Sequence, residues 1–121
     1  MSPAARTYLL YLEDMLLSMQ RIEEYVEGLD FVSFKKKYII VDAVIRNFEI
    51  IGEASGKIPA HVKDKYPEIP WRKMYGLRNL LSHEYFGIDY EMVWEIIRKS
   101  LPLNREELER VIQNEKSPLS E

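Results

Sequence analysis

Apolar residues recur along this chain at spacings of three, four and seven rather than in alternation, a pattern that predicts helices and no strand. Leu9, Leu12, Leu16, Met19 and Val26 form the first stripe, the inward face of a long amphipathic helix. Ser2 and Pro3 suit its N-cap and first turn, and Gly28 suits its end. Asp30 can cap a following segment in which Phe31 and Phe34 share a face. A second main helix carries Ile40, Val44, Phe48 and Ile51 and ends at Gly56. On another side of it Asp42, Arg46, Glu49 and Glu53 stand at helical spacing, placed to pair with one another.

Prolines at 59, 67 and 70 break up the next stretch, leaving room for a short helix over Ala60 to Lys65. Trp71 to about His83 reads as a third long helix. Gly76 within it implies that another helix packs close there, because an interior glycine destabilises a helix by about 1 kcal/mol against alanine. Gly87 interrupts the pattern and Asp89 caps a fourth helix with Val93, Ile96, Ile97 and Leu101 inward. Pro102 must kink that helix or begin another carrying Leu108, Val111 and Ile112. Trp71 and Trp94 read as packing anchors, His61 as an exposed loop residue, and Lys35-Lys36-Lys37 as a solvated face able to meet an RNA backbone. The expected fold is an all-α bundle of about four or five helices, one domain over residues 1–114 with a polar, frayed tail over 115–121.

At 121 residues the chain is long enough to bury one core without staples. Cysteine is absent, which removes disulfides and thiolate chemistry, and two distant histidines offer no metal-ligand spacing, so no metal or other cofactor is expected. No apolar run resembles a signal peptide or a membrane span, so a soluble, cytoplasmic protein is expected. The formal net charge of −3 argues against tight, nonspecific nucleic-acid binding by the whole surface. The charges are segregated, however. Acidic residues crowd Glu13 to Glu27 and the region from Glu106, while basic ones gather at Lys35 to Lys37, Arg72-Lys73, Arg78 and Arg98-Lys99.

The stretch Arg78-Asn79-Leu80-Leu81-Ser82-His83-Glu84-Tyr85-Phe86-Gly87 is where chemistry concentrates. A guanidinium offers a planar fork suited to phosphate oxygens, and an imidazole moves protons near neutral pH. The two together suffice for metal-free cleavage of a phosphodiester bearing a 2′-hydroxyl. On an unbroken helix positions 78 and 83 point about 140° apart and rise about 7.5 Å, whereas Asn79 shares a face with His83 and Arg78 with Ser82. Arg78 and His83 therefore converge only if the helix ends near Ser82 or if a second subunit contributes, and a twofold dimer would also supply the missing second histidine.

The spacing Arg78, His83, Tyr85 resembles the signature of the HepT toxins of the HEPN superfamily. The likeness extends, in order, through Tyr8 to Asp14, Val41 to Asn47, Ile51-Gly52-Glu53-Ala54, Ile69-Pro70-Trp71-Arg72 and His83 to Gly87. It implies a HEPN-type bundle and a homodimeric, metal-independent RNA endonuclease, the toxin of a type VII-like toxin–antitoxin system, with Arg78 and His83 catalytic and Asn79 accessory. It further implies an MntA-type nucleotidyltransferase antitoxin as partner, transferring AMP from ATP to Tyr85. The alternatives are a catalytically inactive HEPN module that binds a nucleotidyltransferase, and a helical dimerisation protein with no site. If Tyr85 is the modified group, the third helix should end between Ser82 and Gly87 and bring it to the rim of the groove.

Overall fold

The first apolar stripe becomes helix α1, Pro3–Val26, with Leu9, Leu12, Met19 and Val26 buried, Leu16 half-buried, and Met15 and Ile22 completing the inward face. Gly28 ends it in the left-handed region at φ 77°, a conformation favourable to glycine. The protein's structure, a computed structural model, describes residues 3–80 and 87–117. Among these there is no strand, and the fold is an all-α HEPN-type bundle.

The Asp30 carboxylate accepts the Ser33 N–H at 2.8 Å and opens α2, Phe31–Lys36. Helix α3, Tyr38–Gly56, packs along α1 as the central pairing of the bundle and buries Val41, Val44, Ile45, Phe48 and Ile51. The polar residues on its other side do not pair as expected: Asp42, Arg46, Glu49 and Glu53 form no ion pair among the described residues. Short α4, Ala60–Lys65, follows Pro59, and His61 on it is exposed. Helix α5, Trp71–Gly76, is far shorter than the pattern suggests. The chain tightens into a 3₁₀ turn over Leu77–Asn79, and residues 81–86 lie outside the described residues.

Asp89 accepts the Met92 N–H at 3.1 Å and caps α6, Tyr90–Glu95. A π turn over Ile96–Ser100 then leads without a break into α7, Leu101–Lys116. Pro102 stands in the first turn of α7, so it begins the helix that carries Leu108, Val111 and Ile112, one of the two outcomes expected of it. The turn before it widens, with Leu101 N–H reaching back to the Ile96 carbonyl. Trp94 tilts against Phe34 with ring centroids 5.0 Å apart and ties α6 to α2. Helix α7 lies along α1, joined at its rim by Arg105 with Glu23 and by Lys116 with Glu13 at 3.0 Å. Glu115, expected to open a frayed tail, is instead helical and drawn in. Helical structure runs to Lys116, and the Glu115 side chain is only 6% exposed.

Candidate functional site

Gly52 and Gly56 stand four apart on one face of α3, and the α5 corner docks there. A Cβ on Gly52 would lie 2.6 Å from the Arg78 backbone nitrogen and 3.0 Å from the Tyr75 carbonyl oxygen, so the two backbones meet directly. On Gly56 it would lie 2.7 Å from the edge of the Tyr75 ring. The close helix approach expected at Gly76 is not found: among the described residues a Cβ there would meet nothing within 4 Å, and the close approaches lie at Gly52 and Gly56, where none was expected. The start of α5 is pinned as well: the Trp71 indole donates to the Tyr66 carbonyl at 3.0 Å, and the Ser55 hydroxyl donates to the Trp71 carbonyl at 3.3 Å.

This docking fixes where Arg78 stands. Its side chain is exposed, with its guanidinium carbon 4.2 Å from the centroid of the Tyr75 ring. Among the described residues no carboxylate pairs with it and no acceptor takes its protons. Asn79, also exposed, turns toward a groove of about 690 Å³ between this corner and α6–α7. Leu77, Met92 and Leu103 give that groove apolar walls, and Lys73, Asn79 and Lys99 a polar rim. Lys73 and Asn79 thus face the groove, Arg78 lies outside its lining over the Tyr75 ring beside α3, and Lys35 to Lys37 remain an exposed face on α2 and its exit. Ser82, His83 and Tyr85 lie outside the described residues. Tyr75 has no place in the sequence expectation, although its three-residue spacing from Arg78 is the signal for a shared helix face.

A second polar constellation joins α1, α4 and α7. The Glu115 carboxylate accepts from the Tyr8 hydroxyl, from the Tyr66 hydroxyl at 2.5 Å and from the Lys65 ammonium at 2.9 Å. Asn114 in turn donates to the Tyr66 oxygen at 2.5 Å. Burial alone would push the Glu115 carboxyl up, but the donations from Tyr66, Tyr8 and Lys65 together with the Lys65 charge outweigh it and hold the group below its ordinary range. Burial and the bond to Glu115 push the Tyr8 phenol up to about 12, and the same causes raise Tyr66. Both carboxylate oxygens are occupied by donors, so this cluster is built to hold α1, α4 and α7 together.

Among the described residues no group of three or more His, Cys, Asp or Glu stands close enough to hold a metal ion, and no helix is long and apolar enough to cross a membrane. No solved structure matches the chain significantly. Named proteins do. The chain is 43% identical over 101 residues to "Putative RNase MJ1380" of Methanocaldococcus jannaschii, covering 84% of this chain and 93% of that one. It is 37% identical over 106 residues to "Putative RNase TTE0752" of Caldanaerobacter subterraneus, covering 88% and 95%. It is 39% identical over 106 residues to "Probable ribonuclease HepT" of Thermococcus cleftensis, covering 88% and 96%. The family model described as "Ribonuclease HepT-like" matches residues 15–113, and the chain belongs to that HepT-like ribonuclease family.

Proposed function

We propose that this chain is a toxin-type endoribonuclease that cleaves RNA by attack of the 2′-hydroxyl on the adjacent phosphate, without a metal ion. The observation that supports it best is the state of Arg78. Its guanidinium is exposed, lacks an acidic partner among the described residues, and is backed by an aromatic ring at the head of the Arg78 to Tyr85 motif. A bare guanidinium is suited to two phosphate oxygens and stabilises the charge that builds on them in the transition state. His83 takes the 2′-hydroxyl proton. The 2′-oxygen then bonds to phosphorus, the 5′-oxygen departs with a proton, and a 2′,3′-cyclic phosphate remains. The groove lined by Asn79 adjoins the Arg78 segment and offers a strand apolar walls with Lys73 and Lys99, alongside Glu107.

Two copies acting as a homodimer supply two histidines, one for each proton transfer. A nucleotidyltransferase antitoxin neutralises the site by AMPylation: the Tyr85 phenol attacks the α-phosphorus of ATP and pyrophosphate leaves. The attached phosphate then sets a negative charge and a nucleotide's bulk where RNA phosphate must sit. A direct test is cleavage of labelled RNA and matched DNA in EDTA by the wild type, His83→Ala and Arg78→Ala. RNA cut by the wild type alone, with cyclic-phosphate ends, supports the mechanism. Equal cleavage of DNA, or full activity in His83→Ala, rules it out. Coexpression with the antitoxin should add AMP to a peptide containing Tyr85 and leave Tyr85→Phe unmodified and toxic. Neutralisation of Tyr85→Phe as efficient as that of the wild type would show that inhibition is binding alone.

A further inference from the structure

The Arg78 guanidinium is the group on which that mechanism leans most, yet among the described residues no carboxylate or carbonyl fixes its orientation. What lies against it is the Tyr75 ring, 4.2 Å from ring centroid to guanidinium carbon. This contact follows from the local backbone. In an α-helix residues three apart are neighbours, but in a 3₁₀ turn they eclipse one another. The chain tightens from α to 3₁₀ geometry at Leu77–Asn79, bringing Arg78 over Tyr75.

The ring is itself placed. One edge of it packs against Gly56, where any Cβ would stand 2.7 Å from it, while the Arg78 backbone is seated on Gly52. Two glycines four apart on α3 therefore receive two side-chain-bearing positions three apart on the docked corner. Tyr75 is 41% exposed, so the core does not need it for packing. Its outer face is left to the guanidinium.

We infer that Tyr75 is a positioning residue for Arg78: its ring holds the guanidinium plane by a cation–π stack and leaves the N–H donors free for a phosphate. The inference rests on the proposed role of Arg78. A carboxylate would orient the guanidinium more strongly, but it would also occupy its donors and offset its charge. An aromatic face restricts the side chain without competing with the anion.

The test compares Tyr75→Ala, Tyr75→Phe and Arg78→Ala in steady-state cleavage of one RNA, alongside NMR of the Arg78 side-chain protons, which a ring beneath them shifts upfield. Tyr75→Ala should lower kcat about three- to tenfold with KM little changed, the range expected for loss of a partly exposed cation–π contact. It should also erase the upfield shift. Tyr75→Phe should retain both, because the face and not the hydroxyl is used. Wild-type kcat in Tyr75→Ala while Arg78→Ala is inactive would overturn the positioning role alone. A loss in Tyr75→Phe as large as in Tyr75→Ala would do the same by assigning the effect to the hydroxyl. Full activity in Arg78→Ala would remove the underlying mechanism and the inference with it. Gly56→Ala, which forces the ring edge to move, should reproduce part of the Tyr75→Ala effect, and wild-type kcat in a variant whose Arg78 protons have lost the upfield shift would count against the positioning role.

Discussion

Glu115 and Arg78 are both charged side chains near helix ends, and the fold treats them in opposite ways. Glu115 is drawn in from the last turn of α7, and both its oxygens are taken by Tyr8, Tyr66 and Lys65. Arg78 is held out from the α5 corner, and among the described residues the flat face of Tyr75 is what lies against its guanidinium. A charge used for cohesion is surrounded by partners on both of its oxygens, since an unpaired buried charge destabilises strongly. A charge intended for a ligand must keep its capacity free, and its geometry has to come from contacts that do not use it.

The sharpest way to break this contrast is to remove each charge and ask what fails. Arg78→Ala should lower cleavage on the order of 10²–10³-fold, the scale of losing one preorganised transition-state donor, while the melting temperature stays within about a degree or two. A large fall in stability would place Arg78 with the cohesive charges. Gly52→Ala should show the opposite profile. Its new methyl would meet backbone at 2.6 Å, so unfolding in urea should reveal a loss of about 3 kcal/mol, because neither helix can give way without repacking.

Glu115→Ala should destabilise by about 2–4 kcal/mol, since it leaves two phenols and an ammonium without their shared acceptor. Activity per folded molecule should be unchanged. Loss of cleavage in the folded variant would mean that the two regions are not independent. Protonation sharpens the same point. The Glu115 carboxyl is held below its ordinary value of 4.5, so the folded state binds its proton less readily than the unfolded chain does. Its stabilising contribution is therefore complete above pH 4.5 and disappears as pH falls through the lower folded value. Tyr8 has the reverse sign: its phenol is raised from 10.0 to about 12, so its contribution is complete below pH 10 and is lost as pH climbs toward 12. Stability of wild type minus Glu115→Gln, measured by urea titration from pH 3 to 8, should be flat at neutral pH and shrink below about 4.5. The smallest effect expected is that of Asp89→Ala, about 1 kcal/mol from loss of the bond to the Met92 N–H that opens α6.

Much of the bundle was legible because its signals are local. The stripe through Leu12 and Met19, the stop at Gly28, and the caps at Asp30 and Asp89 each depend on a few neighbouring residues, and each stands where the pattern puts it. The docking of the α5 corner on Gly52 and Gly56 is a contact between segments well separated in the chain, which no short window of sequence contains. Gly56 reads correctly as a helix end, but its role as the seat for Tyr75 appears only when the corner is placed upon it. The same holds for Glu115. In a run of polar residues it looks like part of a frayed tail, because Tyr8 lies 107 positions away in the chain. Of the candidate site, Arg78 and Asn79 are found exposed at one corner, and the positioning ring went unnoticed because a tyrosine three residues upstream looks ordinary until the turn tightens.

The wide turn over Ile96–Ser100 carries a consequence for insertions and deletions. A π turn takes up one surplus residue within a single wide turn, so the helical segments on either side of it keep their phase. Removing one residue there would turn the bond from the Leu101 N–H into an ordinary α bond and leave Glu115 facing Tyr8 and Tyr66, and Arg105 facing Glu23. The same deletion in an ordinary turn of α7 ahead of Arg105 has no such slack: it would advance the residues that follow by about 100° and turn Glu115 away. The wide turn is thus the one stretch of this helical run in which chain length can change by a residue without changing which side chains face α1.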